Sequence, residues 1–69
     1  MTMAPARSVS DLAGRLERHL ANPTSYGAVA TRVLLRTGVN MRSPKPEQTN
    51  DPAVVNRVAG ALTEMGYRL

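Results

Sequence analysis

Apolar residues recur every three or four positions in three stretches of the chain, and each stretch opens or closes on a recognisable helix signal. In the first, Val9, Leu12, Ala13, Leu16 and Leu20 share one face, with Arg15 and Arg18 pointing elsewhere. Ser8 followed by Asp11 matches the acidic form of a capping box, and Asp11 with Arg15 is an i,i+4 ion pair in the favourable order. This predicts a helix over 9–21, stopped at Asn22-Pro23 because a proline ring disfavours helical dihedrals in the residue before it. In the second stretch Tyr26, Val29, Ala30, Val33 and Leu34 form the stripe of a helix over 25–37. Thr24 or Ser25 caps its start, and Gly38 stands where a left-handed cap residue is expected. Arg32 and Arg36 lie one turn apart on the side away from that stripe, and Leu35 falls outside it, facing a neighbouring element or a partner.

The third stretch has the best-marked start, with Asp51 as N-cap and Pro52 at the first helical position. Val55, Val58, Ala59, Leu62 and Met65 give the buried stripe of a helix over 52–65, and Gly66 closes it. Residues 39–50 have no periodicity, and Arg42-Ser43-Pro44-Lys45-Pro46 reads as a basic, proline-containing loop. Residues 1–8 read as a fraying, disordered tail, and Tyr67-Arg68-Leu69 as a short extended one. The predicted fold is all-α: one domain over 9–69, a compact three-helix bundle of helix-turn-helix-like order.

Composition narrows the chemistry. The chain has 69 residues, no Phe, no Trp and two tyrosines, so its core is thin and built from Val, Leu, Ala and Met. Burying one aliphatic side chain contributes roughly 1.5 to 3 kcal/mol against about 1 to 2 kcal/mol of backbone entropy per ordered residue, so a second copy or a bound partner would help complete such a domain. Met41 and Met65 read as gap fillers, and Tyr26 as a core or rim anchor. Without cysteine there is neither a disulfide nor a thiolate metal site. The single histidine, His19, reads as a surface or rim residue with no metal-ligand partner at suitable spacing. No nucleophile elbow, phosphate-cradling glycine loop or carboxylate pair is present, so neither enzyme activity, cofactor nor metal is expected. No apolar run suggests a signal peptide or a spanning helix, and the expected location is cytoplasmic with no membrane partner.

Charge points to the partner. The net charge is +4, with +1 in residues 1–23, +4 in 24–46 and −1 in 47–69. The acid-free middle holds Arg32, Arg36, Arg42 and Lys45. Four cations pairing with four phosphates would give a slope of about −3 to −4 in log affinity against log salt.

Arg57-Val58-Ala59-Gly60-Ala61-Leu62-Thr63-Glu64-Met65-Gly66-Tyr67-Arg68 resembles the closing helix of helix-turn-helix and winged-helix DNA-binding domains. Taken with the capped segment Thr24 to Asn40, the order looks like the helical part of winged-helix modules at the C-terminal ends of phage and plasmid primase-helicase proteins; headpieces of the lac-repressor type end comparably. The resemblance spans about two thirds of the chain. It departs in two respects: only the first residues of a possible strand follow the third helix where a wing hairpin would stand, and the second connection is about twelve residues long.

The resemblance implies double-stranded DNA as partner, with RNA an open alternative. If the third helix enters the major groove, Asn56, Arg57, Gly60 and Thr63 face the bases: arginine bridges two guanine acceptors, asparagine pairs with adenine and glycine lets the backbone approach. Glu64 on the same helix repels phosphate. The competing reading is a protein-interaction adaptor or homodimerisation module that binds no nucleic acid, in which Leu35, Val39, Val54 and Ala61 bury against a second copy or a larger protein.

Overall fold

The computed structural model describes residues 6–69. Four helices follow one another: α1 (Val9–Leu20), α2 (Pro23–Thr37), α3 (Pro46–Thr49) and α4 (Pro52–Glu64), with no strand among the described residues. Residues 1–5 of the expected tail lie outside the described residues. Ala6 to Ser8 are engaged: Ala6 packs on the core, and Ser8 Oγ accepts the Asp11 amide at 3.0 Å. Asp11 Oδ2 in turn accepts the Arg7 amide and pairs with Arg15 Nη2, each at 3.2 Å.

Proline chemistry separates expectation from structure at two places. Asn22-Pro23 does stop α1, but it also starts α2. Asn22, not Thr24 or Ser25, is the N-cap, and its Oδ1 accepts both the Thr24 and Ser25 amides, at 2.9 and 3.3 Å. Pro23 occupies the first helical position, where its missing N–H costs nothing. Pro46 does the same for α3, so the expected uninterrupted loop contains a helical turn. With no room for an intervening linker, Ala21 takes the left-handed conformation that ends α1, at φ +51°, its amide donating to the Glu17 carbonyl at 2.9 Å. The conventional cap residues Gly38 and Gly66 have φ of +75° and +94°. At the latter, Tyr67 N donates to Leu62 O and Gly66 N to Thr63 O, the bond pair of a Schellman motif.

The core draws Val9, Leu12 and Leu16 from α1, Val29, Ala30 and Val33 from α2, and Val54, Val55, Val58, Ala61 and Leu62 from α4. Four assignments change. Leu34, placed on the α2 stripe by periodicity, is 40% exposed, while Leu35 beside it is 81% exposed. Val54 and Ala61, offered as surface for a partner, are buried, because α4 packs on α1, α2 and α3 at once and a three-sided helix buries a wider arc. Val39, offered in the same role, is fully buried along with Met41.

Local hydrogen bonds bury that connection. Thr37 Oγ1 donates to the Val33 carbonyl at 2.7 Å and accepts the Val39 amide at 3.1 Å, so Val39 enters the core with its N–H satisfied. Asn40 Oδ1 accepts the Arg42 amide at 3.0 Å in an Asx turn. The turn leaves Met41 in the core and Arg42 outside. The radius of gyration, 10.8 Å, matches the roughly 11 Å of a compact chain of this length, as a packed-down connection requires.

Candidate nucleic-acid interface

Helix α2 presents its cations on one flank. Arg32 and Arg36 are separated by a single turn, about 40° of rotation. Arg36 lies at the C-terminal end, where α2 meets α4, and its Nη1 pairs with Glu64 Oε2 at 3.3 Å. Both partners are largely in solvent, 51% and 75% exposed, so water screens the pair and Arg36 keeps much of its attraction for an incoming anion.

Around this pair, Thr37 of α2 and Asn56, Arg57, Gly60 and Ala61 of α4 line an open groove of about 430 Å³. Arg36, Asn56 and Arg57 are therefore brought together by packing, although twenty residues separate the α2 arginine from Asn56. Gly60 faces open space: a Cβ there would have nothing within 4 Å, so packing does not account for the glycine. Thr63 is exposed on α4, and its hydroxyl donates to the Ala59 carbonyl of its own helix at 2.9 Å.

The other two expected phosphate contacts lie elsewhere. Arg42 folds back to the N-terminal end of α2, its Nη1 standing 3.8 Å from where a Cβ on Gly27 would be. Gly27 and Arg36 are nine residues apart, about two and a half turns, and so face opposite ways around the helix. Lys45, exposed, precedes α3, which packs on α1 and α4 and not on α2. The basic middle segment thus divides, with Arg32 and Arg36 on one flank of α2 and Arg42 on the other.

Arg42 shares its groove with the partly buried Tyr26. Burial pushes the Tyr26 phenol above its usual value; Glu17 adds to the rise and Arg42 opposes it. Sequence reasoning missed a further basic group: Arg15, Arg18 and His19 from the last turns of α1, gathered beside Arg68 of the tail. Its only local signal was three basic residues within five positions, which window sums diluted with Asp11 and Glu17. The tail reaches α1 through His19 and Tyr67, whose rings meet edge to face with centroids 6.1 Å apart.

Among the described residues no three His, Asp or Glu side chains gather as a metal site, and no helix is long and apolar enough to cross a membrane. Compared with known proteins, the chain matches no family model, no curated sequence and no solved structure.

Proposed function

We propose that this protein is a small DNA-binding domain of helix-turn-helix-like character whose duplex contact is the α2–α4 groove. Arg36 in the groove and Arg32, one turn away on the same flank of α2, meet backbone phosphates, while Asn56 and Arg57 of α4 reach base edges. The convergence of Arg36, Asn56 and Arg57 on one groove beside an unobstructed glycine carries the reading. Phosphate contact demands only charge and reach, whereas base readout needs the bidentate geometry that arginine and asparagine supply.

Titration of duplex DNA at several salt concentrations tests it. The two phosphate-pairing arginines give a slope of about −2 in log affinity against log salt. Arg32→Ala with Arg36→Ala weakens all duplex sequences alike, whereas Arg57→Ala alters the preference between sequences. Affinity that stays level as salt rises would overturn the proposal.

A second reading, self-association or docking on a larger protein, now rests on Leu35 and Leu34, the exposed large apolar side chains of α2. Sedimentation at high concentration separates the two: a monomer that binds no protein partner leaves DNA binding, and a salt-indifferent dimer leaves association.

A further inference from the structure

Three arginines far apart in sequence line two grooves that have Arg18 in common. Arg42, carried back by the Asn40 turn, and Arg18 of α1 line one groove of about 490 Å³ together with Tyr26 and Pro23. Arg18 also lines an adjoining groove of about 270 Å³ with His19, Arg68 and Leu69. Being common to both, Arg18 joins Arg42 and Arg68 into one track.

The track is held open to solvent. Tyr67 and Leu69 are partly buried on the core, so the alternation of an extended tail leaves Arg68 between them exposed. Arg18 and Arg42 are exposed as well. None of the three arginines makes an ion pair among the described residues, whereas Arg15 nearby is paired with Asp11. Glu17, the acid that borders the track, lies in the groove with Arg18, Tyr26 and Arg42 and leaves the cations in excess.

Arg42 and Arg36 stand on opposite sides of α2, separated along its axis by the nine residues from Gly27 to Arg36, about 13 Å. A straight duplex seated in the α2–α4 groove cannot reach Arg42, because α2 lies between. We infer that Arg18, Arg42 and Arg68 form a second phosphate-binding track, so that one domain grips two DNA segments and bridges them. The inference rests on the α2–α4 groove being the first contact, since bridging needs both faces.

A bridging assay decides it. One duplex is fixed to beads, a second carries a fluorophore, and capture of the second by protein on the first is measured beside the anisotropy of a single duplex in solution. All substituted side chains are exposed, so the variants keep the fold. Arg18→Ala with Arg68→Ala should lower bridging by about tenfold while single-duplex affinity changes by about twofold or less, since removing a phosphate-pairing cation weakens only the face that carries it. Arg36→Ala with Arg57→Ala should also abolish bridging.

Bridging at the wild-type level by the Arg18/Arg68 variant would overturn the second track and leave the α2–α4 reading intact. So would loss, in that variant, of binding to anionic phospholipid vesicles with no change in bridging, which would assign the arginines to a lipid surface. Failure of the wild-type protein to bind any duplex would sink both.

Discussion

Arg36 and Glu64 tie the C-terminal ends of α2 and α4 together across the groove proposed to hold DNA, Nη1 to Oε2 at 3.3 Å. The carboxylate stands where a phosphate would approach. Glu64→Gln should therefore raise duplex affinity by a few fold, because Arg36 then meets the phosphate without a competing carboxylate. Its stability should move by no more than about 0.5 kcal/mol, as for other exposed pairs. Anisotropy titrations and urea melts check the two halves separately.

Gly60 separates function from folding. It occupies an exposed helical position with open space around it, so Gly60→Ala should stabilise the domain by about 1 kcal/mol through helix propensity. If DNA approaches the α4 backbone there, the same methyl group should weaken duplex binding. A variant that melts higher and binds less tightly is the expected outcome.

Ala21 carries backbone strain at a helix end where glycine would carry none. At φ +51°, its Cβ crowds the following carbonyl, and Ala21→Gly should stabilise the protein by about 1 kcal/mol, a rise of roughly 4–8 °C in melting temperature for a domain of this size. Thermal denaturation followed by circular dichroism reads it directly.

Met41→Ala tests whether the connection belongs to the core. Removing a buried methionine costs about 2–5 kcal/mol, against about 3–10 kcal/mol of total stability for such a chain, so the variant should lose about half of its stability and unfold at a much lower urea concentration. Leu35→Ser, at a position 81% exposed, should leave the urea midpoint almost unchanged. If it dissociates a dimer seen by sedimentation, association through α2 gains ground over the monomeric DNA-binding reading.

Tyr26 sets an alkaline limit. Its phenol titrates above the ordinary value of 10.0 in the folded chain, chiefly through burial, so the folded state holds the proton longer than the unfolded one. That contribution is complete below pH 10.0 and is lost as pH rises through the raised folded value. Urea midpoints of the wild type should fall across this range by more than those of Tyr26→Phe, and a Tyr67→Phe background isolates the absorbance titration of Tyr26.

The parts of this fold that local patterning reveals are those with a local cause. The stripe Val9, Leu12, Leu16 and the stripe Val55, Val58, Leu62 follow from 3.6 residues per turn, and Asp51-Pro52 and Gly66 mark helix ends through side-chain oxygen, fixed φ and absent Cβ. The same chemistry at Asn22-Pro23 is ambiguous in sequence, because a proline signals both the end of one helix and the beginning of the next. Val39 and Met41 give no periodic signal, since a segment that enters the core through turns has no period to show.

Three long helices, the caps at Ser8, Gly38, Asp51 and Gly66 and an excess of positive charge are thus written into the order of the residues, because each arises between neighbours a few positions apart. Which cations share a surface is not. Arg42 parts from Arg36 and joins Arg18 because the Asn40 turn folds the connection back, and Arg68 reaches Arg18 because Tyr67 docks on His19. Those meetings depend on long-range packing, which leaves no mark in any short window of the chain.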